Sequence, residues 1–245
     1  MVATVYREPL TRSVEDYLKA IYSITIEGAA ALTKDLAGRL ELSPASVSGM
    51  VKRLAEQGLI VYTPYKGAEL TRNGRQIALR MLRRHRVIET YLVEFLGYDW
   101  DTVHDEAERM EHAVSDDLIE RMADRLGDPR FDPHGDPIPA SDGTVAEVIY
   151  VPLPDLKPGR PATVRRVHSE KADELRYLAL HGLKPGARVI LRDRQPFQGP
   201  LTLEVDGTEQ IIGHEIGSLV LCGSSDKEPG GGSKGRTPPG KVRHV

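Results

Sequence analysis

The stretch TKDLAGRLELSPASVSGMVKRLAEQGLIVYTPYKGAELT, residues 33–71, decides the fold. Thr33 is placed to cap a short helix, TKDLAGRL, and ELS supplies a tight turn. PASVSGMVKRLAEQG then reads as a second helix, with Pro44 in its first turn and Gly58 past its end. Two short helices across a tight turn predict a helix-turn-helix, the second helix in the recognition position. The next residues read as a hairpin: a β-rich run over 59–63, a turn at Tyr65, Lys66 and Gly67, and a return over 69–71. Upstream, Ser13 is placed to cap a helix carrying Val14, Leu18, Ile21, Tyr22 and Ile24 and ending near Gly28. Helix, helix-turn-helix and hairpin in that order predict a winged helix.

Charge supports a polyanion partner for this module. Residues 33–86 hold eleven Lys/Arg against four Asp/Glu, a net +7. The second helix presents Ser43, Ser46, Ser48 and Lys52 on the side away from Val47, Val51 and Leu54. Short hydroxyls approach base edges or phosphates closely, and lysines neutralise backbone charge. The expected contacts to double-stranded DNA are Lys34, Ser43, Ser46, Ser48, Lys52, Tyr65 and Lys66, although each serine reads equally well as a cap or an exposed residue. Gly49 stands at the exposed centre, where no Arg, Asn or Gln is available, so readout through DNA shape is expected to matter.

The following segment reverses sign. Residues 99–128 hold eleven acids and three Arg, a net −8, which suits a cation. Within it lies HDEAERMEH, residues 104–112. On a helix, His104, Glu108, Glu111 and His112 fall on one face about 100° wide, beside an apolar stripe of Val103, Ala107, Met110 and Val114. Two imidazoles and two carboxylates on one face suit a divalent metal ion; an acidic, solvated helix paired through Arg109 is the other reading. The helix reads as continuing through Leu118, Ile119, Met122 and Leu126 to Gly127. Before it, a long helix spans 71–96, with Ile77, Met81, Leu82, Ile88, Tyr91, Leu92 and Phe95 on its apolar faces. His85 and Glu89, four apart, share a face, either as ligands or as a simple hydrogen-bonded pair. So much apolar helical surface after a DNA-binding module predicts a homodimer, which a palindromic operator requires.

The rest of the chain sets limits. Its 245 residues are 40% hydrophobic, enough for more than one core. A single cysteine, Cys222, excludes an intrachain disulfide framework and a thiolate zinc cage and fits a cytoplasmic protein. No apolar h-region opens the chain, and no run of about 18 apolar residues occurs, so no membrane partner is expected. Residues 128–159 are punctuated by Pro129, Pro133, Pro137, Pro139, Pro152, Pro154 and Pro158, with DPHGDPIP compact enough to be a packed turn. Short strands around one helix follow: 162–167, the helix SEKADELRYLALHGL, then 187–192, 201–205, 211–212 and 219–222. They predict a small SH3-like β-barrel. The fold class is mainly α with small β. The expected divisions are a winged helix over 1–72, a helical metal-binding and dimerisation domain over 73–140, a linker over 141–159, the barrel over 160–223 and a disordered tail over 224–245.

SVEDYLKAIY, RRHRVIETYL, VHDEAERMEH and HGDPIP, in this order and spacing, closely resemble the diphtheria-toxin-repressor family of metal-dependent transcriptional regulators, including its manganese-transport-regulator branch. The resemblance covers residues 13–223. It implies one metal site from Asp16, Glu108, Glu111 and His112, and a second from His85, Glu89 and His104. The family's barrel also lends ligands to the second site; Glu170 and Asp173 correspond, with His168 as a rival. Where the iron-responsive branch typically has Met and Cys, this chain has Asp16 and Glu108, and hard oxygen donors suit Mn²⁺. One departure is Lys19, which stands where the manganese branch often has a glutamate and speaks against a two-manganese cluster of that branch's type. The resemblance implies repression of metal-uptake genes in response to Mn²⁺, with an Fe²⁺-responsive regulator as the alternative. A winged-helix regulator sensing an organic ligand is the rival outside metal sensing. A metallohydrolase is not expected: HExxH is missing, and no nucleophile or separate base stands beside the cluster.

Overall fold

The computed structural model describes residues 10–26 and 28–224; beyond Ser224, the tail expected to be disordered lies outside the described residues. The described residues form two compact units, one from those up to 148 together with 169–177, the other from 149–168 and 178–224.

The first unit opens with the predicted winged helix: α1 (Arg12–Ile26), α2 (Thr33–Arg39), α3 (Pro44–Glu56), β1 (Ile60–Thr63) and β2 (Gly67–Leu70). Two caps differ from expectation. Helix α1 begins at Arg12, with the Thr11 carbonyl accepting from the Val14 N–H at 2.9 Å, so Ser13 lies inside the first turn. Helix α2 follows Leu32 without a side-chain cap, which places Thr33 as its first residue. The hairpin pairs Ile60 with Leu70 and Thr63 with Gly67. Gly67 is required there: at φ 97°, a Cβ would stand 2.8 Å from the Ala31 carbonyl oxygen.

Helix α4 (Arg72–Leu96) organises the unit. Thr71 caps it, accepting from the Gly74 N–H at 3.1 Å, and Gly97 ends it in the left-handed region. Its 25 residues make a rod about 37 Å long whose two halves lie in different cores. Ala78, Leu79 and Leu82 are buried with Leu18, Ile21, Leu36, Val47, Val51 and Leu54 of the winged helix. Val87, Ile88 and Leu92 are buried with Val103, Ala107, Ile119, Ala123 and Ile138. Each buried Val, Leu or Ile among them contributes about 1.5–3 kcal/mol, so the rod's rotation is fixed at both ends. His85 falls at the seam between the cores.

The helix expected to run on from HDEAERMEH to Gly127 is broken. Helix α5 (Val103–Met110) stops, and α6 (Asp116–Leu126) starts afresh, because the Ser115 hydroxyl accepts from the Leu118 N–H at 3.3 Å. Glu111 keeps helical angles as the cap of α5, and His112 lies in the turn. Arg84, from α4, pins that turn by donating to the Glu111 carbonyl at 3.3 Å and to Asp116 Oδ1 at 2.7 Å.

The second unit is a six-stranded antiparallel sheet in the order β3-β8-β4-β5-β6-β7. Its strands are β3 (Val151–Pro152), β4 (Pro161–Val167), β5 (Arg188–Arg194), β6 (Leu201–Val205), β7 (Thr208–Ile212) and β8 (Val220–Ser224). It has the SH3-like character expected, but it begins earlier: Val151 pairs with Cys222, inside the segment read as linker. Proline caused the misreading, because at a two-residue edge strand Pro152 does not interrupt the sheet. Helix α7 (Ala172–Leu180) interrupts the sheet in sequence, its first turns belonging to the first unit. The short α8 (His214–Ser218) precedes the last strand. Cys222 is a core residue whose thiol burial pushes up to about 12.

Candidate metal centre

The seam on α4 gathers ionisable groups from α1, α4, α5 and two turns. Asp16 and Lys19 project from α1, His85 and Glu89 from α4, His104 and Glu108 from α5, and Glu111 and His112 from the turn after it. Among the described residues, ligand-type atoms within 4.8 Å of one another form four overlapping groups: Asp16–Glu111–His112, His85–Glu108–Glu111, His85–Glu89–His104 and Glu89–Asp132–His134. The seven helical and turn ligands expected from the sequence are thus brought together.

His112 shows how the first site fits a metal. Its Nδ1 is 2.8 Å from Glu15 Oε2, which as acceptor fixes the proton there. Its Nε2 is buried and has no hydrogen-bond partner among the described residues, yet lies 2.8 Å from Asp16 Oδ1 and 3.4 Å from Glu111 Oε1. An oriented imidazole nitrogen between two carboxylates is a donor set for a divalent cation. Burial holds the Asp16 carboxyl above its usual pKa despite His112 and Arg12 nearby.

Lys19 enters the same cluster. Its Nζ donates to Glu108 Oε1 at 2.7 Å and to both oxygens of Glu111 at 3.0 Å. Burial works against the ammonium, but Glu111 and Glu108 outweigh it and keep the pKa above the usual lysine value. For the fully buried Glu111, burial is likewise overcome, here by His85 and Lys19, and the pKa falls to about 2.

The second group is buried more deeply. His85 Nδ1 is 2.6 Å from Glu111 Oε2, and His85 Nε2 is 3.0 Å from both Glu89 Oε1 and His104 Nδ1. Burial and Lys19 oppose charge on His85, but Glu89 and the hydrogen bonds to Glu111 and Glu89 hold its pKa at about 9. Glu89, against its own burial, is held well below the carboxylate range by His85, His104 and His134.

Asp132 and His134 were not singled out from sequence, although HGDPIP was. The turn carries them inward: Asp132 Oδ1 accepts the N–H groups of His134 and Asp136, each at 2.9 Å, and His134 Nε2 donates to the Trp100 carbonyl at 2.9 Å. His134 Nδ1 is left facing Glu89 Oε2 at 3.8 Å. Burial, then Asp136 and Glu89, raise Asp132 to about 7; Glu89 and Asp132 overcome the burial of His134 and raise it to about 9. A histidine two residues after an aspartate at a proline-flanked turn was the available signal, and Glu15 beside Asp16 was another.

The pair expected to complete the second site is placed elsewhere. Glu170 is ion-paired with Arg39 at 2.7 Å and lines a cleft with Asp16, Lys19 and Glu108, at the mouth of the first site. Asp173 accepts the Glu174 N–H at 2.9 Å at the start of its own helix. Such surface and capping partnerships satisfy short carboxylates locally. The rival His168 belongs to the sheet unit, where its Nδ1 is 2.9 Å from an Arg166 guanidinium nitrogen.

The expected DNA-contact residues Lys34, Ser43, Ser46, Ser48, Lys52, Tyr65 and Lys66 are all exposed. Two hydroxyls also serve the helix itself: Ser43 accepts from the Ser46 N–H at 3.2 Å, and Ser48 donates to the Pro44 carbonyl at 2.9 Å. Tyr65, at the hairpin tip, is 99% exposed with φ 65°, a costly conformation for a large residue.

A winged helix joined by one rigid rod to a buried imidazole–carboxylate cluster defines a metal-responsive DNA-binding regulator. Comparison with known proteins agrees. Residues 9–68 match the domain described as "Iron dependent repressor, N-terminal DNA binding domain", residues 71–140 "Iron dependent repressor, metal binding and dimerisation domain", and residues 151–222 the "FeoA domain". The chain is 32% identical over 224 residues to the iron-dependent repressor IdeR of Mycobacterium leprae, covering 86% of this chain and 96% of that protein. It is 32% identical over 210 residues to the diphtheria toxin repressor of Corynebacterium diphtheriae, covering 82% and 92%. Among solved structures, a manganese-dependent transcriptional repressor in complex with manganese superposes with a TM-score of 0.78 at 38% identity, covering 86% and 99%. The manganese regulator SloR gives 0.73 at 32%, covering 88% and 100%. The chain belongs to the iron-dependent, or diphtheria-toxin, repressor family. Its relatives are DNA-binding repressors and not enzymes. No helix among the described residues is long and apolar enough to cross a membrane.

Proposed function

We propose that this chain is a Mn²⁺-responsive repressor of metal-uptake genes, acting in the cytoplasm as a homodimer on a palindromic operator. The observation that carries the metal assignment is the donor chemistry: Asp16, Glu111 and His112, with Glu108 in the adjoining group that shares Glu111, offer oxygen and imidazole nitrogen without sulfur, and hard donors suit Mn²⁺. The bound ion supplies positive charge that relieves repulsion among these carboxylates. Asp16 and Glu15 belong to α1 of the winged helix, whereas Glu111 and His112 sit on the turn after α5. Drawing them together fixes α1 against the helical core and thereby the orientation of α3 in each protomer, which favours the operator-bound state. Lys34, Lys52 and Lys66 then neutralise phosphates, with Ser43, Ser46, Ser48 and Tyr65 near the grooves.

The iron-responsive reading is favoured by the curated relatives named as iron-dependent repressors. A mobility-shift titration with Mn²⁺, Fe²⁺, Zn²⁺ and chelator, on double-stranded DNA selected from a random pool, separates the two. Activation by Mn²⁺ ahead of Fe²⁺ supports the proposal, Fe²⁺ ahead of Mn²⁺ supports the alternative, and binding indifferent to every metal removes both. Asp16→Met with Glu108→Cys should shift the order toward Fe²⁺ or Co²⁺.

A further inference from the structure

We infer that the Lys19 ammonium is a resident cation of the first site, filling one of its two ligand groups so that the site takes a single divalent ion. This rests on the metal-sensor reading. The juxtaposition is direct: the His85–Glu108–Glu111 group is made of the residues that Lys19 Nζ reaches, at 3.4 Å from His85 Nδ1, 2.7 Å from Glu108 and 3.0 Å from each oxygen of Glu111. The neighbouring group Asp16–Glu111–His112 shares only Glu111 with it. Asp16 and Lys19 stand three apart on α1, so both face the turn after α5.

Charge points the same way: Lys19 offsets one of the negative charges of Asp16, Glu108 and Glu111 and so lowers the demand for a second divalent ion. A carboxylate at position 19 would add a negative charge in place of that offset and raise the demand. Lys19 therefore acts in two ways. It ties α1 to Glu108 and Glu111 when metal is scarce, because a buried charge pair broken on one side is costly. It also repels the ion that arrives beside it, setting the concentration at which the site fills.

The test uses the full-length chain with Mn²⁺ alone as the probe, read by calorimetry, electron paramagnetic resonance and thermal unfolding. Wild type should show no exchange-coupled Mn²⁺ pair. Lys19→Gln, which keeps a donor but not the charge, should unfold at a lower temperature in chelator yet bind Mn²⁺ more tightly, by about tenfold. Lys19→Glu should take up one more ion than wild type and give an exchange-coupled spectrum. A side chain needed only for packing would lower stability and affinity together, so unchanged or weaker Mn²⁺ binding by Lys19→Gln overturns the inference. So does a coupled pair in wild type, a measurement that needs no variant to fold. If wild type binds no Mn²⁺, the functional reading falls first and takes the inference with it.

Discussion

The two halves of the candidate metal centre share Glu111 and His85 as neighbours but are built from different parts of the chain. Asp16 and His112 face each other from α1, which belongs to the winged-helix core, and from the turn after α5, which belongs to the helical core. His85, Glu89, His104, Asp132 and His134 come from α4, α5 and the proline-flanked turn, all within reach of the helical core. The first half is therefore a latch between bodies, and the second a buried brace inside one. Side-chain exposure agrees: 31% for Asp16 and 38% for Glu108, against 2% for Glu89. A group across a seam can change the relation of two bodies, whereas a group inside one core mainly changes its stability.

The largest effect should come from opening the latch. Asp16→Ala or Glu108→Ala in the full-length chain should reduce Mn²⁺-stimulated DNA binding by about 100-fold, while unfolding in chelator stays within a few degrees of wild type. Asp16 is a good probe because it faces His112 across the seam at 2.8 Å, with burial holding its carboxyl above the usual pKa despite His112 and Arg12. Mobility shifts with wild-type metal stimulation in both variants would mean that the latch lies elsewhere.

Breaking the brace should give the opposite profile. Asp132→Asn with His134→Ala leaves the buried Glu89 with fewer partners, which costs about 1–3 kcal/mol. Thermal unfolding should drop by several degrees and the bound metal count should fall, while DNA affinity at saturating Mn²⁺ stays within about threefold of wild type. Loss of metal-stimulated DNA binding equal to that of Asp16→Ala would erase the distinction between latch and brace.

What the sequence made legible follows the same division. Residues with periodic neighbours were readable: Val47, Val51 and Leu54 fixed the face of α3, and the spacing of His104, Glu108, Glu111 and His112 fixed one side of the site. The break after Met110 was hidden because Glu111 keeps helical angles, so the wheel stays true one residue past the end of α5. Asp132 and His134 were missed because a turn has no period to project, and only the folded Asx-type bonding of Asp132 aims His134 inward. Lys19 was noticed as a departure from pattern, but its bridging of Glu108 and Glu111 depends on the tertiary placement of α1 within reach of α5 and the turn after it, which no local rule supplies.

A pH series probes the brace with a smaller expected effect. His85 and His134 are raised from 6.5 to about 9 in the folded chain, so their protonated forms stabilise it fully below pH 6.5, and this contribution is lost as pH rises through about 9. Asp132, raised from 3.8 to about 7, acts in the same direction, its contribution present below 3.8 and lost as pH rises through about 7. Glu111, lowered from 4.5 to about 2, contributes above 4.5 and loses its effect as pH falls through about 2. In chelator, the unfolding temperature should therefore fall steadily between pH 6.5 and 9. Saturating Mn²⁺ should flatten that slope, since ligation releases the same protons. A flat profile in chelator would show that protons do not hold the brace together.

The smallest effect belongs to Glu170, and it tests whether the latch extends past the helical ligands. Its carboxylate lines the cleft beside Asp16, Lys19 and Glu108, which makes it a candidate for the first site by position. It is nevertheless 56% exposed and engaged by Arg39, and a surface pair of this kind is worth about 0–1 kcal/mol. To ligate, Glu170 would have to exchange a satisfied guanidinium contact for a place among carboxylates already served by Lys19 and His112. Glu170→Ala should accordingly change Mn²⁺ affinity by less than about threefold and leave the stoichiometry as in wild type. Asp173→Ala, which removes only an acceptor for the Glu174 N–H, should do even less. Calorimetry that shows one ion fewer in Glu170→Ala, or a loss near tenfold, would place this residue in the latch and require Arg39 to release it when metal binds.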